Sequence, residues 1–185
     1  MGQKVSREGL TLDAELITPF IRAIQNVLQK ETKYQVLRTS KPSLTSGGEL
    51  AHEIASVIGL VGEVSGVFLI SVSAEYAFSF FREVVGVEAT EIDEVVLSGI
   101  AELSNTIAGQ AAIALEEIGL STDISPPLLI KGKGASLSTL DLPRVSVPLK
   151  TDLGDLVMES PLSGPCNKVE LPPQNPAVAL TSTGR

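Results

Sequence analysis

The sequence predicts a single α/β domain of the α+β kind, a largely antiparallel sheet covered by helices, and three observations predict it. Apolar residues recur at helical spacing over 15 to 32 and again over 90 to 118. Two stretches rich in β-branched residues, 52 to 60 and 65 to 73, flank the turn-permissive Gly62 and Gly66, and further strand-like segments follow the Pro126-Pro127 break. A chain of 185 residues is long enough for one ordinary core and short for two. The expected division is a loose lead-in over 1 to 12, the domain over 13 to 162 and a mobile tail over 163 to 185, where Pro, Asn, Ser and Gly replace periodic apolar spacing.

The elements follow in order. Residues 1 to 10 are polar and irregular. Asp13 or Thr18 is suited to cap the first helix, with Pro19 tolerated in its opening turn and Phe20, Ile24, Val27 and Leu28 along its apolar face. Tyr34 to Ser40 alternates loosely, as a strand does, and Pro42 to Gly48 reads as a turn region. After the 52–60 and 65–73 hairpin, Ser73 caps a short helix through Val85 that buries Phe78, Phe81 and Val85, and Gly86 supplies the left-handed stop. Thr90 and Asp93 resemble a capping box at the start of the long helix, which Gly119 ends. Strands are expected near 128 to 132, 143 to 150 and 154 to 161.

Composition narrows the function. Tryptophan is absent and aromatics amount to 4%, so the core must be mostly aliphatic. A formal charge of −8 opposes docking on phosphate backbones or anionic lipid, which makes nucleic acid and membrane surfaces unsuitable partners. The apolar window from Val95 to Leu115 has the length of a membrane span, but Glu102, Asn105 and Gln110 interrupt it and favour a helix buried along one side. The single Cys166 precludes an intramolecular disulfide, and the first residues lack the apolar stretch of a signal peptide. A cytoplasmic protein is the expectation.

Within the long helix, Ser98, Glu102, Asn105 and Gly109 are spaced by four, three and four residues. At about 100° per residue they fall in one sector roughly 60° wide. Val96, Leu97, Ile100, Leu103, Ile107 and Ala111 lie mostly on the opposite half and are candidates for burial. Gly109 costs a helix about 1 kcal/mol relative to Ala, which points to something approaching the backbone there, and Ala108, Ala111 and Ala112 keep that turn slim. A carboxylate one turn from an amide is able to grip a cation and orient a water. Residue types alone equally fit a solvated helix face.

The run Ser98-Gly-Ile-Ala-Glu102-Leu-Ser-Asn105-Thr-Ile-Ala-Gly109-Gln-Ala111 resembles the signature of the CheC, CheX and FliY phosphatases of bacterial chemotaxis: Asp or Ser, three residues, Glu, two residues, Asn. The Pro19 to Leu28 helix, the glycine-bearing 58–73 hairpin, the short helix ending at Gly86 and the Ile130-Lys-Gly-Lys-Gly134 segment follow in the order seen in CheX, so the resemblance spans residues 13 to 162. It implies hydrolysis of the aspartyl phosphate of a CheY-like response regulator. Asn105 would orient water, Glu102 would pair with the regulator's lysine, and Ser98 and Gly109 would support the surface. No cofactor is implied on this chain, Mg²⁺ being expected on the partner. A module that docks a response regulator or flagellar switch component without catalysis is the alternative. CheX carries one motif and works as a homodimer, whereas CheC and FliY carry two. Here Ala23 stands where a second motif before Asn26 would need Glu, which favours the CheX-like form.

Other signals have plainer readings. The sole histidine, His52, reads as structural in a strand, Gly132-Lys133-Gly134 as a strand-edge turn without P-loop spacing, and Cys166 as an incidental thiol. Glu91, Glu94, Glu116 and Glu117 flank the motif helix and serve solubility or tune docking.

Overall fold

A computed structural model describes residues 5–7, 10–12, 14–34, 36–38, 41–137, 144–160 and 162–163. Asp13, Cys166 and the rest of the tail expected beyond Ser163 lie outside these. The lead-in that reads as irregular contains two short strands, β1 (Val5–Arg7) and β2 (Leu10–Leu12), paired antiparallel.

Helix α1 (Ala14–Thr32) places Phe20, Ala23, Ile24, Val27 and Leu28 in the core, as their spacing requires. It begins earlier than Thr18 would allow as a cap. Thr18 therefore lies inside the helix, and Pro19 forgoes an intrahelical hydrogen bond instead of sitting in the first turn. The helix ends where Lys33 takes φ 62° and donates its N–H to the Gln29 carbonyl at 3.0 Å.

The sheet follows in short and long pieces. Strands β3 (Leu37–Arg38) and β4 (Ser43–Thr45) precede the hairpin of β5 (Ile54–Gly62) and β6 (Ser65–Val72). Helices α2 (Ala74–Val85) and α3 (Glu94–Glu116) come next. The chain returns as β7 (Thr122–Ile124), β8 (Leu128–Lys131), β9 (Arg144–Thr151), β10 (Gly154–Ser160) and β11 (Leu162–Ser163). Among the described residues nine strands form one sheet in the order β3-β9-β10-β6-β5-β7, with β4 on β9, β8 on β5 and β11 on β6. Every pairing is antiparallel. The Pro42 to Gly48 segment thus holds strand β4 at the sheet edge, and β7 is a further strand whose three residues are too few to show alternation.

Strand alternation divides the sheet into two faces. Ile54, Ile58 and Leu60 of β5, Phe68, Ile70 and Val72 of β6, Val145, Val147 and Leu149 of β9, and Leu156 and Met158 of β10 join the helices in the main core. Phe20 of α1 meets Phe68 of β6 with ring centroids 4.9 Å apart. On the other face Ala55 and Leu69 pack with Leu50 in a smaller cluster, beside the buried ion pair of Arg144 with Glu159, 3.3 Å from Nε to Oε2. Arg144 also donates to the carbonyls of Gly47 and Glu49, so it fastens the 47–50 loop across the sheet.

Helix α2 is capped as its sequence requires. The Ser73 hydroxyl accepts the Tyr76 N–H at 3.1 Å, and Gly86 closes the helix at φ 76°. Its buried arc differs from the expected one: Tyr76, Ala77, Phe80 and Phe81 are inside, Phe78 is half-buried and Val85 is exposed. Tyr76, Ala77, Phe80 and Phe81 all join the main core, and Gly154 of β10 lies alongside Tyr76, where an added Cβ would stand in ordinary contact at 3.5 Å from Tyr76 Cβ.

Candidate functional site

The motif helix starts at Glu94 rather than Thr90, because Asp93 is itself the cap. Its Oδ1 accepts the N–H groups of Val95 at 3.1 Å and Val96 at 2.9 Å. One residue earlier, the Ile92 carbonyl accepts the Lys131 ammonium, which ties the approach to α3 onto the end of β8. At the other end, the N–H of Gly119 reaches the Glu116 carbonyl at 2.9 Å and that of Leu120 reaches the Leu115 carbonyl at 3.0 Å, with Gly119 at φ 85°. The Glu63 carboxylate then accepts the Ser121 N–H at 2.9 Å and its hydroxyl at 3.1 Å, which joins the β5–β6 turn to the chain leaving α3. Those hydrogen bonds hold the Glu63 carboxyl below its ordinary pKa. The helix is thereby fixed at both ends.

Between these fixings α3 turns one arc inward. Val96, Ile100, Leu103, Ser104, Ile107, Ala108, Ala111 and Leu115 are buried, and Leu97 is half-buried against the same core. Buried Ser104 returns its hydroxyl to the Ile100 carbonyl at 2.7 Å, which satisfies it within the helix. Ala108 and Ala111 are thus core residues, and of the three alanines expected to slim the motif turn only Ala112 stays partly exposed.

The opposite arc carries all four motif residues. Ser98 and Glu102 are exposed; Asn105 and Gly109 are half-buried. The Ser98 hydroxyl donates to the Glu94 carbonyl at 2.7 Å, which holds it against its own helix. The Glu102 carboxylate and the Asn105 amide form no hydrogen bond or ion pair with other described residues. An acceptor and a mixed donor–acceptor therefore face outward one turn apart, without the competing internal bonds that would have to break before they met a ligand. Gly109 is not demanded by internal packing: an added Cβ would lie 4.0 Å from Ile124 Cδ1, an ordinary contact.

The remaining candidates are distributed elsewhere. Asn26 is exposed on α1, and Ala23 three residues before it is buried at 3% exposure, so α1 has no Glu–Asn pair to match that of α3. His52 lies in the bend before β5 rather than within a strand, half-buried. Gly132 to Gly134 forms the turn after β8, with Gly134 at φ 68°. Glu91, Glu94, Glu116 and Glu117 are all exposed around the two ends of α3. No three His, Cys, Asp or Glu side chains converge as a metal-binding group among the described residues. Lys131, Glu63 and Ser121 carry no local signature, because their partners are 39 and 58 residues away in sequence.

Comparison with known proteins bears on this face. The family model for "Chemotaxis phosphatase CheX" matches residues 54–150. The CheY-P phosphatase CheX of Thermotoga maritima is 34% identical over 133 residues, which is 69% of this chain and 83% of that protein. A crystal structure of the chemotaxis protein CheX from Desulfovibrio desulfuricans superposes with TM-score 0.72 at 25% identity, covering 80% of this chain and 99% of the other. A chain of the CheX–CheY–BeF3–Mg²⁺ complex from Borrelia burgdorferi gives TM-score 0.66 at 25% identity, covering 80% and 97%.

Proposed function

Because the chain belongs to the CheX family of chemotaxis phosphatases, we propose that it hydrolyses the aspartyl phosphate of a CheY-type response regulator, using Asn105 to orient the attacking water and Glu102 to pair with the regulator's lysine. The observation that carries this reading is the pair itself: Glu102 and Asn105 face outward from one helix, unbonded within the described residues, on a helix held at both ends.

The chemistry asked of such a pair is modest. The aspartyl phosphate and its Mg²⁺ belong to the regulator, so the phosphorus is already activated there. What remains is to place a water in line and to compensate charge. The Asn105 amide oxygen accepts one water O–H and its amide NH₂ donates to a phosphoryl oxygen, which leaves a water lone pair aimed at phosphorus. The new P–O bond forms as the bond to the aspartate breaks, releasing inorganic phosphate and restoring the carboxylate. Glu102, one turn away, holds the regulator through its ammonium. Ser98 and Gly109 keep the helix surface low on either side of the pair.

The same reading makes the protein a cytoplasmic homodimer joined through its sheet or adjoining edges. Light scattering at several concentrations tests that assembly, and a persistent monomer would contradict it.

The deciding assay follows phosphate loss from a phosphorylated CheY-type regulator with the wild-type protein, Glu102→Ala and Asn105→Ala. Wild-type protein is expected to accelerate decay, and Asn105→Ala to lower the maximal rate by about two orders of magnitude or more. Decay unchanged by the wild-type protein sinks the reading. Saturable binding without any change in rate would instead mark a non-catalytic docking module.

A further inference from the structure

Two of the most exposed apolar side chains of the described residues stand on the motif helix itself. Val95 is 59% exposed and Ile113 is 61% exposed, although α3 has a core-facing arc on which apolar residues are otherwise gathered. Single exposed aliphatic residues need no explanation. These two are not independently placed. They are eighteen residues apart, five full turns at 3.6 residues per turn, and therefore share one angular position on the helix. Glu102 lies seven residues after the first and eleven before the second, within about 20° of the line that joins them. An acidic residue of the motif is thus bracketed, along one line of an exposed face, by two solvent-facing apolar side chains.

We infer that Val95 and Ile113 are the apolar anchors by which this chain holds the receiver domain of its response regulator over Asn105, setting affinity and partner choice while Glu102 and Asn105 act at the phosphoryl group. The inference rests on the reading proposed above. Two properties of the surface bear on the contact, one on the partner's size and the other on the source of the affinity. The first is span: at 1.5 Å per residue the anchors are about 27 Å apart, close to the width of a small domain, so one domain centred on the motif covers both. The second is charge. The chain carries −8 overall, and exposed Glu94, Glu116 and Glu117 stand beside the anchors at the two ends of α3. Long-range electrostatics therefore do not favour an approaching phosphoryl group, and apolar surface removed from water adds affinity beside the pairing proposed for Glu102. The apolar side chains stand near the two ends of the exposed line, and the polar motif lies between them.

The test uses the full-length double variant Val95→Ser with Ile113→Ser, and Ile113→Val as the conservative control. Two readouts are taken with a CheY-type receiver domain: steady-state dephosphorylation of the phosphorylated form, and equilibrium binding of the form loaded with beryllofluoride and Mg²⁺. Both side chains being exposed, the thermal midpoint should stay at the wild-type value. The expected result is a KM and a Kd each raised at least about ten-fold, kcat within about two-fold of wild type, and near wild-type affinity for Ile113→Val. Asn105→Ala should do the reverse, lowering kcat with little effect on Kd. Unchanged KM and Kd in the double variant would overturn the anchors while leaving the phosphatase reading in place. Should wild-type protein bind without accelerating phosphate loss, a raised Kd in the double variant still supports the anchors and the catalytic reading fails alone. Absence of binding by the wild-type protein overturns both.

Discussion

The Glu63 carboxylate accepts two hydrogen bonds from Ser121, one from its N–H and one from its hydroxyl, across 58 residues of sequence. This joins the tip of the β5–β6 hairpin to the chain that leaves the motif helix. Because those bonds favour the ionised carboxylate, the folded-state pKa lies below the ordinary value of 4.5. The stabilisation is therefore fully present above about pH 4.5 and is lost as pH falls through the lowered folded value. Glu63→Gln removes the titration. The thermal midpoint of this variant should lie below wild type at neutral pH, and the gap should close on acidification. A gap that is constant with pH would contradict the assignment.

Gly62, beside Glu63, is expected to tolerate no side chain. A Cβ would stand 2.6 Å from the Ser121 carbonyl oxygen and 3.0 Å from Thr122 Cα, both backbone atoms, and φ is 149°. Gly62→Ala should destabilise the fold by about 1–3 kcal/mol in urea titration. The shift of Ser121 that it forces should also weaken the Glu63 contact, so Gly62→Ala combined with Glu63→Gln should cost less than the two changes summed.

The buried Arg144–Glu159 pair gives a different kind of prediction. Its side chains are 3% and 5% exposed, and Arg144 also holds the carbonyls of Gly47 and Glu49. Arg144→Met should cost about 3–5 kcal/mol, because it strands the Glu159 carboxylate in the sheet. Adding Glu159→Leu should recover part of that loss in a denaturation cycle. No recovery would mean that the loop carbonyls, rather than the carboxylate, dominate the role of Arg144.

How much of this was legible in the sequence depends on the range of each interaction. The inward arc of α3 and its outward motif stripe follow from a 3.6-residue period sustained over many turns, and both are found where the spacing predicts them. Helix α2 carries apolar residues at almost every phase: Tyr76, Ala77, Phe78, Phe80, Phe81, Val84 and Val85. Period alone could not choose its buried face; packing of Tyr76, Ala77, Phe80 and Phe81 into the main core decides it. Thr90 and Asp93 both have capping chemistry, and only the fold decides that the Asp93 carboxylate reaches Val95 and Val96. Strand β4 has the composition of a turn and exists because β9 offers it an edge. The contacts that fix the ends of α3 onto the sheet, from Lys131 and Glu63, join distant parts of the chain and leave no local trace.

Gly109 separates stability from function most cleanly. In a helix interior glycine costs about 1 kcal/mol relative to alanine. The space beside it accepts a methyl group, the nearest atom being Ile124 Cδ1 at 4.0 Å. Gly109→Ala should therefore raise stability by about that amount in chemical denaturation. If a regulator approaches the helix backbone here, as the proposed reading requires, the added methyl group occupies contact space one turn beyond Asn105. Dephosphorylation should then fall through a raised KM even as the fold gains stability. A variant that is more stable and equally active would show that the glycine serves neither packing nor docking, and would shift the weight of the surface onto Ser98, Glu102 and Asn105.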